Sequence, residues 1–194
     1  MNKKIVIIAC GAAAIVIGIL LWWLFSGFAT DKANTEKFHL LKDEIIPMRL
    51  KVVARSDGSA QIAVKFFDVD GKAVGRCELP YSGGSITQKI LDVNINGHHV
   101  YLPSEMVQAT ASPDTLKQQL QQYYVKDGFP MIYFSQVADS GLLYEIRRLY
   151  ACILDGDIEA YGTARLIEVT LGEPTERVNY SLSVTTDGRV RFEN

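Results

Sequence analysis

The sequence predicts an α+β fold in which an N-terminal transmembrane helix precedes one domain of antiparallel β-hairpins with two helices packed on the sheet. Three observations lead to this prediction. A long uncharged segment stands near the start, short alternating segments separated by Asx-Gly pairs follow, and helical periodicity appears only in the second half before strands return. Strands, then helices, then strands are typical of an α+β domain.

The apolar segment Ile5–Phe25 holds twenty-one residues without a charged side chain, and Lys3 and Lys4 directly precede it. A helix of that length measures about 30 Å, the thickness of the hydrocarbon core of a bilayer. The two lysines indicate that residues 1–4 form a cytoplasmic stub. We therefore expect a single-pass protein of a bacterial inner membrane with its C-terminal domain in the periplasm.

Two other interpretations of this segment are open. A cleaved signal peptide could end at Gly27-Phe28-Ala29, although its apolar region would span only about 7–15 residues. A lipoprotein would be acylated at Cys10, but only the five apolar residues from Ile5 precede that cysteine. The pair Trp22-Trp23 favours an uncleaved anchor, because indole rings prefer the membrane–water interface.

Small residues recur every fourth position within the apolar segment, at Cys10, Ala14 and Gly18. They would share one face of a helix, and small side chains let a second membrane helix approach closely. Glycine and alanine are common in membrane helices in any case. The alternative is that this face packs against a partner helix.

Residues 26–37 contain few apolar side chains and predict a tether, and residues 38–194 leave about 155 residues for one domain with its own core. Without Lys3 and Lys4, 18 basic residues stand against 22 acidic ones, a formal charge of −4. Nucleic acids and anionic lipid surfaces attract a basic excess. The balance therefore argues against both as ligands of the domain.

Asx-Gly pairs separate the alternating segments, and such pairs tolerate the positive φ angles of tight hairpin turns. They occur at Asp57-Gly58, Asp70-Gly71, Asn96-Gly97 and Asp187-Gly188. The segments predicted as strands are Met48–Arg55, Gln61–Val69, Lys72–Leu79, Lys89–Ile95, His98–Leu102, Thr163–Leu171, Val178–Thr185 and Arg189–Phe192.

Two segments have helical periodicity. The first begins at Ser112-Pro113-Asp114, a cap followed by proline and an acid, and ends at Asp127-Gly128. The second begins near Asp139-Ser140 and ends at Asp155-Gly156. Its apolar face carries Leu142, Ile146, Leu149 and Ile153.

Cys77 and Cys152 lie outside the apolar segment. An even number of cysteines in an oxidising compartment permits one disulfide, and this one would close a loop of about 75 residues. The alternative is two separately buried thiols that behave as small hydrophobic groups.

Candidate residues for catalysis or metal binding are few. His98 and His99 are adjacent on a predicted strand, point to opposite faces, and are expected to be a solvent-exposed pair that does not chelate a metal. The acidic group Asp155, Asp157 and Glu159 follows a helix end and suits a solvated loop better than a cation site. We predict neither a catalytic set nor a metal nor a cofactor.

Aromatic residues are concentrated around Gly128 and Pro130. Tyrosine, phenylalanine and methionine suit protein interfaces as well as cores, and the cluster comprises Tyr123, Tyr124, Phe129, Met131, Tyr133 and Phe134. Aromatic residues beside turns usually belong to the core, and the alternative is that part of this cluster forms an exposed interaction patch.

The leading functional hypothesis is a membrane-anchored periplasmic domain that binds another envelope protein and assembles or regulates a complex of the cell envelope. The first alternative is a sensor or carrier that binds a small ligand in a cleft between sheet and helices. The second is an envelope hydrolase that uses carboxylates such as Asp155 or Glu159.

Overall fold

β-strands dominate the part of the chain that the computed structural model describes, residues 33–54, 59–109 and 116–194. Asn34–Asn194 forms one compact unit. The strands in chain order are β1 (Glu44–Ala54), β2 (Ala60–Phe67), β3 (Ala73–Tyr81), β4 (Ile86–Ile95), β5 (His98–Gln108), β6 (Leu116–Gln119), β7 (Val125–Lys126), β8 (Phe129–Pro130), β9 (Thr163–Leu171), β10 (Asn179–Thr185) and β11 (Val190–Glu193).

The strands form a five-stranded sheet of order β11-β10-β1-β2-β3, a four-stranded sheet of order β6-β5-β4-β9, and the small hairpin β7-β8. All strand pairs are antiparallel. Asn96 and Gly97 join β4 to β5 with φ angles of 52° and 88°. Positive φ at both central residues defines the type I′ hairpin turn that the Asn-Gly pair predicts.

Buried and exposed side chains alternate along the central strand β1 of the five-stranded sheet. Met48, Leu50 and Val52 of β1 are fully buried, while Arg49 between them is exposed. Because successive side chains of a strand point to opposite faces, this register separates a dry inner face from a polar outer face.

The inner faces of the two large sheets share this core. Gln108 at the end of β5 donates from Nε2 to the carbonyl of Pro80 on β3 at 2.8 Å. At the other end of β5, the backbone N–H of His99 donates to the carbonyl of Thr186, which follows β10, at 3.3 Å. Ile86 and Ile90 of β4 are fully buried on the facing side of the four-stranded sheet.

One α-helix, α1 (Ser140–Asp155), is present in the described residues, in addition to short 3-10 segments at Thr35–Leu40, Gln121–Tyr123 and Met131–Tyr133. The side chain of Asp139 caps its first turn by accepting from the Leu142 N–H at 3.0 Å. Gly156 ends it in the left-handed region with φ 76°. The second predicted helix is therefore confirmed.

The first predicted helix is wrong. Leu116–Gln119 instead forms the edge strand β6, which pairs with Glu105–Gln108 of β5. Asp127 and Gly128, predicted as a helix stop, form the β7-β8 turn with φ angles of 50° and 71°. The spacing of Leu116, Leu120 and Tyr124 is typical of one apolar helical face, but Leu116 is exposed while Leu120 is fully buried, so the three do not form one buried face. The predicted start Ser112-Pro113-Asp114 and the Asp57-Gly58 turn lie outside the described residues.

The predicted transmembrane segment Ile5–Phe25, with its small-residue face Cys10, Ala14 and Gly18, also lies outside the described residues. Within residues 33–54, 59–109 and 116–194, no helix is long and apolar enough to cross a membrane. The predicted α+β fold with a transmembrane helix is therefore corrected. The described fold consists mostly of antiparallel β-sheet and has few helices.

A substitution at Gly75 tests how closely the segment after β6 packs against β3. A Cβ at Gly75 would lie 1.9 Å from the carbonyl oxygen of Tyr123, so backbone would have to move. We expect Gly75→Ala to lower the free energy of unfolding by about 1–3 kcal/mol, as overpacking does, measured by urea denaturation.

Gly172→Ala is the matched control, because nothing lies within 4 Å of a Cβ built there. It should change the free energy of unfolding by less than about 0.5 kcal/mol. Equal losses in both variants would contradict the close approach of Tyr123 to β3.

Candidate protein-binding groove

The predicted interaction patch has a buried side and an accessible side. Tyr124, Tyr133 and Phe129 are only 1%, 4% and 5% exposed and belong to the core. Tyr123, Met131 and Phe134 are half-buried and reach the surface. The structure therefore brings all six residues together in one region but divides them between packing and surface.

Two tyrosine hydroxyls attach the segment 120–134 to the backbone of β5. The Tyr124 hydroxyl donates to the carbonyl of Pro103 at 2.8 Å. The Tyr133 hydroxyl accepts from the N–H of Tyr101 at 2.6 Å and donates to the carbonyl of the same residue at 3.1 Å. Burial raises the pKa of both phenols, so both remain neutral donors.

Tyr124 also reaches the five-stranded sheet, since its ring lies 5.1 Å from that of Phe66 between centroids. The segment thus contacts both sheets. Such double anchoring leaves it little freedom to rearrange, and its outward-facing side chains are held in place.

A groove of about 570 Å³ lies between α1 and the β7-β8 hairpin. Phe129 and Phe134 meet edge to face inside it, with ring centroids 6.5 Å apart. We call this cavity the helix–hairpin groove. Its lining residues are Lys126, Asp127, Phe129, Met131, Phe134, Ser140, Leu143, Tyr144 and Arg147.

A second depression of about 430 Å³ adjoins the helix–hairpin groove. Lys126, Met131 and Phe134 line both, so they form a ridge between the two concavities. The second depression continues toward Lys72 and Tyr123. An elongated ligand could therefore contact both sides of the ridge.

The charge around the groove is mainly positive. Lys72, Lys126 and Arg147 are exposed, and the guanidinium of Arg147 lies 5.9 Å from the centre of the Phe129 ring. Asp127 is an exposed acid. The carboxylate of Asp68 is buried and already accepts the N–H groups of Asp70 and Lys72 at 3.0 and 2.8 Å.

The capping residue Asp139 fixes the start of the helix that forms one wall. Besides the Leu142 N–H, it binds the Lys37 ammonium at 3.2 Å. The hydrogen bond from the Leu142 N–H and then the contact with Lys37 lower the pKa of the Asp139 carboxyl. Tyr144, one turn into α1, is 54% exposed beside the groove.

A second polar cluster joins three strands of the four-stranded sheet. Asp92 of β4 is 1% exposed, and its carboxylate accepts from His99 Nδ1 of β5 at 2.6 Å and from Arg165 Nε of β9 at 2.8 Å. The His99 ring stacks on Tyr101 at 5.8 Å. The expectation of a solvent-exposed histidine pair is therefore wrong for His99.

This cluster resembles the Asp-His half of a catalytic triad in its hydrogen bond alone. A triad also needs a hydroxyl or thiol at the other imidazole nitrogen. Within the described residues, His99 Nε2 instead faces Gly188, where a Cβ would lie 3.5 Å away. The cluster joins β4, β5 and β9 and presents no nucleophile among those residues.

The remaining candidate residues do not form a site. His39, the third histidine of the sequence, donates from Nδ1 to the Glu36 carbonyl within its own turn. Asp155, Asp157 and Glu159 are exposed. In the part of the chain that the structure describes, no group of three histidine, cysteine or acidic residues could hold a metal ion.

The predicted disulfide is not formed. Cys77 is a free, buried thiol on the inner face of β3, and Cys152 is a free, half-buried thiol near the end of α1. Cys77 lies opposite Val64 and packs as a small hydrophobic group. Burial raises the pKa of the Cys77 thiol to about 11.

Comparison with known proteins gives no match, since no family model, no curated protein and no solved structure is detectably similar to this chain. The functional conclusion therefore depends on the residues themselves.

Thiol alkylation tests the assignment of the cysteines. At pH 8 in the folded protein, iodoacetamide should modify Cys152 faster than Cys77, because Cys77 is buried and its pKa of about 11 leaves little thiolate. Labelling of Cys77 should accelerate as the pH rises toward that value. In denaturant without reductant, both should react, as read by mass spectrometry. Recovery of an unlabelled peptide pair linking Cys77 to Cys152 would contradict the free thiols.

Proposed function

We propose that this chain is a protein-binding component whose helix–hairpin groove receives an extended segment of a partner protein that carries apolar and acidic side chains. The observation that supports this most directly is the ridge between two concavities, where Met131 and Phe134 are half-buried apolar side chains beside the exposed Lys126. Aromatic residues, methionine and arginine are enriched at protein interfaces.

Rigidity favours binding at this surface. The ridge belongs to the segment held by the Tyr124 and Tyr133 hydroxyls, and the facing wall is the capped helix α1. A surface that is ordered before binding loses less conformational entropy when a partner docks. The apolar floor at Phe129 would accept an apolar side chain of the partner.

The acidic character of the partner follows from local charge. The whole chain has a formal charge of −2, yet Lys72, Lys126 and Arg147 surround the groove with Asp127 as the nearby exposed acid. Complementary charges accelerate association and suppress wrong partners. Acidic residues flanking the apolar anchors would meet these three cations.

The alternative of a small-ligand sensor needs a cleft between sheet and helices. The space beside Tyr101, Tyr133 and Val184 measures only about 10 Å³, which holds at most about one water molecule. A larger cleft of about 300 Å³ lies between the first 3-10 segment and the start of α1, at the lower limit of the range of small-molecule sites, so this alternative stays a prediction. The hydrolase alternative relied on Asp155 and Glu159, which are exposed and line neither the helix–hairpin groove nor the depression that adjoins it.

The expected role in assembly or regulation of an envelope complex stays a prediction. Its localisation at the inner membrane rests on residues 5–25, which lie outside the described residues. The groove proposal itself depends only on residues 68–147.

Selection of random displayed peptides on the full-length chain tests the proposal. We expect the enriched peptides to combine aromatic or aliphatic anchors with aspartate or glutamate. Arg147→Glu should weaken their binding by about tenfold, because it replaces attraction with like-charge repulsion. Fluorescence anisotropy of a labelled peptide gives the affinity.

Lys117→Glu is the control, since it makes the same charge change at an exposed position of β6 outside the groove. It should leave the affinity within about twofold, as expected for a distant surface charge. Basic consensus peptides, or equal losses in both variants, would contradict the proposed partner chemistry.

A further inference from the structure

The outer face of the five-stranded sheet carries a row of three cations. Arg49 of β1 lies directly opposite Lys65 of β2, and Lys65 lies directly opposite Arg76 of β3. All three are exposed. Directly opposed side chains in antiparallel strands have Cβ atoms about 4.5–5.5 Å apart, and like charges there are destabilising.

The row continues through Ser181 of β10 to Glu193 of β11, whose carboxylate pairs with Arg191, and in the described residues no carboxylate lies within 4.0 Å of the three cations. Arg49, Lys65, Arg76 and the neighbouring Lys51 have no ion pair within 4.0 Å there. Arg49 instead lies over the ring of Phe67 at 4.9 Å. The acid on β3, Glu78, is one row away, opposite Ala63.

The outer face of the four-stranded sheet has a cross-strand row in which charges of opposite sign alternate. Lys89 of β4 lies between Glu105 of β5 and Glu168 of β9 in one cross-strand row. Its ammonium is 3.0 Å from Glu105 and 3.9 Å from Glu168. One sheet thus alternates charges across its outer face, while the other places three cations side by side.

A cavity of about 560 Å³ lies beside the cation row. Its size falls within the range of small-molecule sites, about 300–1,000 Å³. Arg49, Lys51 and Lys65 supply its positive charge, Asn179 and Ser181 supply neutral hydrogen-bonding groups, and Asn194 also lines it. It shares no residue with the helix–hairpin groove.

We propose that this outer face binds a compact polyphosphate anion, either inorganic or as the phosphate chain of a nucleotide. An uncompensated row of cations costs stability in the free protein, and an anion that bridges them would remove that cost. Arginine binds phosphate oxygens in bidentate geometry, and lysine adds a mobile point charge. The confined volume favours a short phosphate chain over an extended polymer.

Titration of the full-length chain with sodium tripolyphosphate, at constant ionic strength, tests the proposal. The anion should raise the Tm of the wild type, since a ligand of the folded state stabilises it. Lys65→Gln should raise the Tm of the anion-free protein by removing like-charge repulsion. It should also weaken tripolyphosphate binding in calorimetry by about tenfold, the effect of one lost charge-assisted contact.

Lys89→Gln is the matched control at the centre of the acid–base–acid row. It should lower the Tm of the anion-free protein because it leaves Glu105 and Glu168 without their cation, and it should leave tripolyphosphate affinity unchanged. ATP in place of tripolyphosphate distinguishes the sources: tighter binding of ATP indicates a nucleotide, and tighter binding of tripolyphosphate indicates the inorganic anion.

Absence of a Tm increase with either anion would overturn the inference. Equal loss of affinity in Lys65→Gln and Lys89→Gln would also overturn it, because the effect would then be one of overall charge. Neither result bears on the helix–hairpin groove, whose residues are separate.

Discussion

The docking of two tyrosine hydroxyls onto the backbone of β5 is the constraint on which the surface of this domain depends. Tyr124 and Tyr133 each satisfy a buried phenol with main-chain groups, Pro103 for one and Tyr101 for the other. Buried polar groups left unpaired are costly, so these contacts determine how the segment 120–134 can lie. Because its inner side is fixed in this way, Met131 and Phe134 must face outward and form the groove ridge.

The two large sheets use charge differently on their outer faces. In the four-stranded sheet, Lys89 is paired with acids of both neighbouring strands. In the five-stranded sheet, Lys65 stands between two arginines. We interpret the first arrangement as structural and the second as a surface maintained for an anionic ligand. The helix–hairpin groove, at a different place, is the surface for a protein.

The sequence allowed most strands to be predicted, because Asx-Gly turns and alternation are local signals. Thr163–Leu171 and the turn at Asn96-Gly97 are examples. The prediction of a helix at Leu116–Gln119 was wrong, because the spacing of Leu116, Leu120 and Tyr124 also suits a strand followed by a tight turn. The Asp92–His99–Arg165 cluster and the cation row could not be foreseen, because both depend on the register between strands. The interaction patch within the aromatic cluster stays a prediction, and which of its residues are buried depends on tertiary contacts.

The central claim is that the helix–hairpin groove contacts a partner protein. A photo-crosslinking amino acid placed at Tyr144, in the wall of the groove, measures this directly in cells. Leu154 of the same helix is 65% exposed and does not line the groove, so it serves as the comparison position. The account predicts that only the probe at Tyr144 captures a partner, through a segment containing apolar and acidic residues. Capture of the same protein with equal yield from both positions, or of none from Tyr144, would contradict it.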